Sequence, residues 1–110
     1  MTVYHQDLQA RWSQYSIFFQ MANVGAEVGR AINWRKKNNQ KLAKTACYRA
    51  LELLDFTVTD RKNKNRWQEI LRVREALVDD FFGENIYHST DAQWEKYFFY
   101  FNLAARLEQV

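Results

Sequence analysis

The sequence predicts an all-α protein, folded as an antiparallel up-down four-helix bundle and assembled into an oligomer. The chain of 110 residues contains no proline and only three glycines, so little interrupts its helices. Apolar residues recur at helical spacing, and the alternating runs typical of strands are absent. With 47% hydrophobic and 16% aromatic residues, the chain can form one core, which predicts a single domain over residues 1–110.

Four helices are expected, over residues 6–35, 40–58, 64–82 and 91–108. The polar connections between them are short, and short connections favour antiparallel neighbours in a bundle. Gly83 follows the third helix and is predicted to cap it in the left-handed conformation. Thr90 and Gln93 have the spacing of a capping box at the start of the fourth helix.

The fourth helix is apolar on two sides. Six of the eight residues from Trp94 to Phe101 are aromatic. One face is expected to join the core, and it holds Trp94, Tyr97, Phe98, Phe101 and Ala105. The other apolar residues lie on roughly the opposite side, and these are Phe99, Leu103, Leu107 and Val110, with Tyr100 at the edge. A single small bundle buries one helix face, so a second copy is expected to cover the other.

The first helix repeats this pattern. One side carries Leu8, Trp12, Tyr15, Phe19, Ala22 and Ala26, and another carries Ile17, Met21, Val24, Val28 and Ile32. The predicted oligomer interface therefore combines both helices and consists of Ile17, Met21, Val24, Val28, Phe99, Tyr100, Leu103 and Leu107. The alternative is a helix that bends near Gly25 and changes the side facing its own core.

Small residues predict a close helix approach. The first helix has a strip formed by Ala22, Gly25, Ala26 and Gly29, and the second helix presents Ala43, Ala46, Cys47 and Ala50. Facing small residues let helix axes come near each other. Cys47 has no histidine at helical spacing, so it is expected to be a buried apolar residue and not a nucleophile.

Positive charge is concentrated in the middle of the chain. Residues 30–66 hold eleven basic and three acidic residues, a net charge of +8, whereas residues 67–110 carry −4. Such a zone is typical of proteins that contact phosphate backbones. The candidate nucleic-acid-binding residues are Arg35, Lys36, Lys37, Lys41, Lys44, Arg61, Lys62, Lys64 and Arg66. In an up-down bundle the first cluster lies beside Asp79, Asp80, Glu84 and Asp91. The alternatives are therefore neutralisation within the chain or across an interface, and ordinary solvated helix ends.

Arg74 occupies an unusual position on the apolar stripe of the third helix. A buried guanidinium needs a paired carboxylate, because an uncompensated buried charge costs several kcal/mol. Glu27, Glu52 and Asp55 are the candidate partners. The stripe thus predicts a buried ion pair, and the alternatives are an arginine that snorkels to the edge of the bundle and an anion site inside the assembly.

Signs of catalysis are few. The chain has two histidines and no glycine-rich phosphate loop, so no catalytic residue, cofactor or metal is expected. Glu52 and Asp55, with Glu75 and Asp79 on the next helix, have the spacing that holds Mg²⁺ in all-α nucleotide pyrophosphohydrolases, which is the alternative function. No apolar run reaches the roughly 20 residues of a membrane span, and residues 1–7 lack a signal-peptide layout. A cytoplasmic location without membrane contact is expected.

Two segments carry a family resemblance. Residues 23–30 read N-V-G-A-E-V-G-R, and residues 42–55 read L-A-K-T-A-C-Y-R-A-L-E-L-L-D. They resemble the Asn-Ile-Ala-Glu-Gly signature and following helix of the 23S-rRNA intervening-sequence proteins, a four-helix-bundle family that includes the accessory protein of diversity-generating retroelements. The resemblance covers about 35 residues, with Glu27 displaced by one position. It implies a ring-like assembly with a basic surface for RNA or DNA, a reverse transcriptase as protein partner, and no catalysis.

These observations together predict a non-enzymatic, oligomeric helical bundle that contacts nucleic acid or an acidic partner through basic helix ends. A third interpretation is a structural adaptor that recognises only protein, through Phe99, Leu103 and their neighbours. The sequence does not separate this adaptor from the nucleic-acid-binding protein.

Overall fold

A computed structural model describes residues 11–109, which form four α-helices and two short 3₁₀ helices without any strand. The helices are α1 (Ile17–Lys36), α2 (Gln40–Thr59), α3 (Trp67–Phe82) and α4 (Asp91–Leu107). The 3₁₀ helices are Trp12–Gln14 and Arg61–Arg66. The all-α prediction is confirmed, and the packing of the helices is compatible with a bundle. Within the described part of the chain, no helix is long and apolar enough to cross a membrane.

The first helix begins later than expected. Tyr15 is extended, and Ser16 caps α1 by accepting a hydrogen bond from the backbone N–H of Phe19. Trp12 therefore belongs to a separate 3₁₀ turn and not to the first turns of a helix starting at residue 6. Leu8 and Val110, both assigned to apolar stripes, lie outside the described residues.

The central position of α1 explains its two apolar sides. This helix packs extensively on both α2 and α4, while α3 packs on α2. Met21, Val24 and Val28 are at most 1% exposed within the single chain, and Ile17 packs against the same core. The prediction that these residues form an oligomer interface is wrong, because neighbouring helices of the same chain already cover them.

Gly25, in the strip of small residues on α1, meets a different helix from the one expected. A Cβ atom added to Gly25 would lie 2.7 Å from Cβ of Phe98, so Gly25 is the point where α1 and α4 touch. Gly29, one turn later, faces open space. The small residues of α2 are indeed buried, but Gly25 serves the contact with α4.

Helix ends follow the sequence in part. The capping box of Thr90 and Gln93 is present at the start of α4, as predicted. Gly83 ends α3 with an extended backbone (φ −110°), so its predicted left-handed conformation is wrong. Between residues 11 and 109, the left-handed conformation occurs at Asn38, Asn85 and His88, and the two asparagines follow α1 and α3. Asparagine tolerates this conformation better than most residues, and glycine is not required there.

Candidate nucleic-acid interface

Arg35 connects three helices and is largely neutralised. Its guanidinium donates to Asp80 at 2.9 Å and to Asp91 at 2.6 Å, and it lies 3.9 Å from the ring centre of Phe81. Burial lowers the pKa of Arg35, but the two carboxylates outweigh burial and raise it above its ordinary value. Asp80 also accepts a hydrogen bond from the indole of Trp94. Arg35 thus ties α1 to α3 and α4, and little of its charge remains for a ligand.

Three lysines at the same end as Arg35 are not paired with a carboxylate of the described residues. Lys36 lies 3.6 Å from Glu95, and both side chains are mostly exposed, so that pair contributes little. Lys37, Lys41 and Lys44 are exposed, and none has a carboxylate of residues 11–109 within ion-pair distance. Internal neutralisation, the alternative raised by the sequence, therefore applies to Arg35 and not to these three.

Aromatic rings lie among these lysines. Tyr48 packs on Phe82 with ring centres 4.7 Å apart, and the Nζ of Lys44 lies 5.9 Å from the same Phe82 ring. Lys37 lies 5.2 Å from the ring of Trp34. Tyr48 is still 47% exposed. We call Lys37, Lys41, Lys44 and Tyr48 the Lys44 face.

The second basic cluster lies in the segment Arg61–Arg66, which buried hydrogen bonds hold against the core. Asn63 is 3% exposed and donates to the side-chain oxygen of Gln20 and to the carbonyl of Thr57. Gln20 in turn donates to the carbonyl of Trp12 and to Asp60. The indole of Trp12 donates to the hydroxyl of Thr57. This buried network fixes the 3₁₀ helix Arg61–Arg66, which we call the basic loop.

Half of the cations in the basic loop have structural roles. Lys62 pairs with Asp60 and donates to the carbonyl of Ser13, while Arg66 pairs with Glu69 at 3.2 Å. Arg61 and Lys64 are exposed and form no ion pair with any described residue. Lys44 lies 15 residues before the end of α2 at Thr59, roughly 22 Å along the helix axis, so the Lys44 face and the basic loop form two separate sites.

Arg74 forms an ion pair at the edge of the bundle, as the snorkelling alternative expects. Its Nε donates to Asp55 at 2.7 Å, and Asp55 is one of the three candidate partners. The two side chains are 37% and 46% exposed, so the predicted burial is wrong. Arg74 reaches the edge of the α2–α3 contact, where solvent screens the pair.

The predicted outer stripe of α4 is exposed in the single chain. Trp94, Phe98, Phe101 and Ala105 are buried, and Tyr97 packs against the same core, as the first face of the helix required. The opposite side leaves large apolar side chains in solvent, with exposures of 58% for Phe99, 59% for Tyr100, 43% for Leu103 and 64% for Leu107. We call these four residues the outer stripe.

The acidic residues considered as Mg²⁺ ligands have other contacts. Asp55 pairs with Arg74, Glu75 accepts from the hydroxyl of Tyr87, and Asp79 accepts from the backbone N–H groups of Ile86 and Tyr87. Among residues 11–109, no three His, Cys, Asp or Glu side chains lie close enough together to hold a metal ion. Cys47 is fully buried, and burial raises its pKa to about 12, so the thiolate needed by a nucleophile is suppressed.

A cleft of about 380 Å³ separates α3 from α4. Val73, Ala76 and Trp94 line it with apolar surface, and the hydroxyl of Tyr97 spans it by donating to Glu69 at 2.6 Å. Burial and this hydrogen bond raise the pKa of Tyr97, which keeps the hydroxyl protonated as a donor. The cleft is held at a fixed width by side chains and contains none of the basic residues of the Lys44 face or the basic loop.

Two residues of the site are not predicted by the sequence patterns. Tyr48 follows the alanines of the α2 core strip, although its spacing from Lys41 and Lys44 places it on their face. Asn63 lies among polar loop residues, and nothing in the run R-K-N-K-N-R distinguishes the one buried member. The network that buries Asn63 is formed by residues up to 43 positions away.

No protein-family model, curated protein or solved structure matches this chain. The resemblance to the intervening-sequence family is therefore neither supported nor opposed by these comparisons. In the structure, the residues of its first segment serve packing and helix contacts. Gly25 meets Phe98, Asn23 donates to the carbonyl of Phe19, and Glu27 pairs with Arg30 at 2.9 Å.

Proposed function

We propose that this chain is a non-enzymatic protein that contacts nucleic acid through phosphate groups. Lys37, Lys41 and Lys44 provide the main contacts, and Arg61 with Lys64 provides a second site. One observation carries the proposal: these five of the nine predicted basic residues are exposed without a carboxylate partner among the described residues, whereas the other four pair with acids.

Electrostatics support phosphate contact over ordinary solvated helix ends. The second half of the chain has more acidic than basic residues, and two of its carboxylates pair with Arg35. The lysines of the Lys44 face thus lack partners although the chain contains enough carboxylates. The lysines of the Lys44 face repel one another, and the negative charges of a phosphate backbone relieve this repulsion. The counterions that the backbone releases on binding further favour the complex. The basic loop is also fixed by Asn63, so binding there costs little conformational entropy.

The proposal includes an up-down antiparallel topology and a homo-oligomer. Arg35 at the end of α1 contacts Asp80 near the end of α3 and Asp91 at the start of α4. Ser16, the cap of α1, donates to Glu108 just after α4. These contacts fit alternating helix directions. The outer stripe supplies the apolar surface that a second copy covers.

The resemblance suggests the biological setting of this proposal. In that setting the protein is a cytoplasmic accessory factor of a retroelement reverse transcriptase, and the acidic partner is either the enzyme or its RNA. In this role the Lys44 face binds a phosphate backbone without catalysing a reaction, and the protein holds that backbone and a protein partner together.

The test is a titration of a fluorescein-labelled RNA duplex at about 50 and 200 mM salt. We expect binding that weakens steeply with salt. Each lysine that contacts a phosphate adds about 0.7 to 0.9 to the logarithmic slope, the range between single strands and B-DNA. The triple variant Lys37→Gln, Lys41→Gln, Lys44→Gln removes three charges from the Lys44 face. Its control is the triple variant Arg72→Gln, Lys96→Gln, Arg106→Gln, which removes three exposed charges elsewhere.

The two variants separate a site from net charge. We expect the Lys44-face variant to lose most of the affinity and the control variant to retain it. Equal losses in both would show that only overall charge matters, and a wild-type protein that binds neither the duplex nor a single-stranded RNA at low salt would overturn the proposal.

The protein-only adaptor remains the second candidate function. It is favoured by a groove of about 600 Å³ beside α3, where Leu71 and Tyr87 are at least half exposed and Ile86 is 69% exposed. Together with the outer stripe, this groove gives the chain two apolar surfaces. An adaptor predicts no response to nucleic acid in the titration above.

A further inference from the structure

We infer that the ligand of the Lys44 face is single-stranded nucleic acid, with an unpaired base stacked on Tyr48 and phosphates on Lys41 and Lys44. This inference rests on the proposed function, and it specifies the class of nucleic acid and the residue that recognises it.

Helix geometry places the three side chains in one row. Lys41, Lys44 and Tyr48 stand at positions i, i+3 and i+7 of α2, and all three are exposed. Residues at this spacing share one face and cover roughly 10 Å of the helix axis. The row therefore presents two cations and one ring along a line, as a strand with alternating phosphates and bases requires.

The ring of Tyr48 is braced and still accessible. One side packs on Phe82 with 41° between the ring planes, yet 47% of the residue remains exposed. The hydroxyl makes no hydrogen bond to the described residues, so no polar contact ties it to the protein. A ring that is already held in place loses little freedom when a base stacks on it.

The same arrangement discriminates against a duplex. Bases in a duplex already stack on one another, so Tyr48 can reach a base face only after a base leaves the stack. An unpaired base has a free face for any exposed aromatic ring, and this stacking is tolerant of sequence. Lys41 and Lys44, by contrast, attract the phosphates of either form.

Another exposed tyrosine provides the matched control. Tyr87 is 57% exposed, but its hydroxyl donates to Glu75 and its backbone N–H donates to Asp79. Two carboxylates therefore contact Tyr87, and they disfavour a phosphate backbone at its ring. Removing its ring changes the same amount of aromatic surface without touching the Lys44 face.

The experiment compares a labelled oligo-U strand with an RNA duplex of equal length. We expect the wild type to bind the strand more tightly, and Tyr48→Ala to weaken strand binding by about 5- to 150-fold, the range for loss of one stacked base. The same variant leaves duplex binding unchanged. Tyr48→Phe retains the ring and retains binding, and Tyr87→Ala behaves as the wild type. Circular dichroism melting checks that each variant is folded.

Lysine variants distinguish this inference from the proposed function. Lys41→Gln with Lys44→Gln is expected to weaken both ligands and to reduce the salt slope for the strand by about 1.4. If the lysine variant weakens binding but Tyr48→Ala does not, the stacking inference is overturned and phosphate contact stands. If neither ligand binds the wild type at low salt, both proposals fail.

Discussion

Asp60 shows how one side chain holds the basic loop in place. It caps the 3₁₀ helix by accepting from the backbone N–H of Lys62 at 3.2 Å, and it also accepts from Gln20 at 2.9 Å. Burial raises the pKa of Asp60, but its bonds to Lys62 and Gln20 outweigh burial and lower the pKa below its ordinary value. The carboxylate is therefore more stable charged in the folded protein than in the unfolded chain.

This shift predicts a pH dependence with a definite sign. A lowered folded-state pKa means that Asp60 stabilises the protein above its unfolded pKa of about 4, and that this contribution disappears as pH falls through the folded value. We expect Asp60→Asn to lower the free energy of unfolding at pH 7, because an amide N–H₂ would face the donor of Gln20. Urea unfolding of wild type and variant at pH 7 and about pH 2.5 measures the difference.

The gap between wild type and Asp60→Asn is expected to narrow at low pH. Asp55→Asn serves as control, because its pair with Arg74 is 46% and 37% exposed and contributes little. A gap that stays constant between pH 7 and about pH 2.5 would contradict the assigned role of Asp60.

A regular apolar pattern predicts the burial of a residue when that residue is itself small and apolar. Cys47 lies among alanines at helical spacing, and the prediction that it is a buried apolar residue is confirmed. Arg74 lies on an equally regular stripe, but its long side chain reaches past the stripe to Asp55 at the edge. Periodicity gives the angle of a residue around a helix. It does not give the path of a flexible side chain.

Gly25 and Gly29 have opposite roles in the same helix. Gly25 lies against Phe98 of α4, and Gly29 faces open space. Both glycines reduce the intrinsic stability of α1 relative to alanine by about 1 kcal/mol. Only at Gly25 does the tertiary structure require a glycine, because a Cβ atom there would overlap the Cβ atom of Phe98.

The two glycines predict opposite effects of one substitution. Gly25→Ala is expected to lower the free energy of unfolding, because overpacking costs about 1 to 3 kcal/mol and exceeds the gain in helix propensity. Gly29→Ala is expected to raise it by up to about 1 kcal/mol. Thermal melting of both variants beside the wild type is the measurement. A stabilised Gly25→Ala protein would show that α1 and α4 do not approach closely.

Local sequence signals predict where the helices begin and end better than they predict the conformation of the segments between the helices. The capping box at Thr90 and the second and fourth helices agree with the sequence because capping and periodicity are local. The sequence predicts helix from residue 64, inside the basic loop, since R-K-N-K-N-R has no glycine or proline to stop one. The 3₁₀ form of the loop depends on Asn63 bonding to Gln20, a tertiary contact.

In the whole molecule, the second apolar face of α1 and the second apolar face of α4 have different explanations. The second face of α1 is covered by the chain itself, because α1 lies between α2 and α4. The second face of α4 is not covered by any described residue, and Phe99 remains 58% exposed. The sequence could not distinguish these cases, since periodicity shows that a face is apolar and not which helix lies against it.

The exposed face of α4 carries the remaining argument for assembly. Fully burying a Leu or Phe side chain is worth about 1.5 to 3 kcal/mol, so covering the outer stripe gives a second copy several favourable contacts. We expect purified protein at micromolar concentration to show a mass of two or more chains by light scattering. Phe99→Ser with Leu103→Ser is expected to shift that mass to a single chain without lowering the melting temperature of the isolated bundle.

The control for this interface is Leu71→Ser, which removes an apolar side chain that is 50% exposed on α3. It lies outside the outer stripe, so we expect the assembly to persist. Loss of assembly in both variants would place the interface beyond α4 or make it non-specific. A wild-type protein that remains a single chain at micromolar concentration would exclude the homo-oligomer, and the outer stripe would then need a different protein partner, as the adaptor function requires.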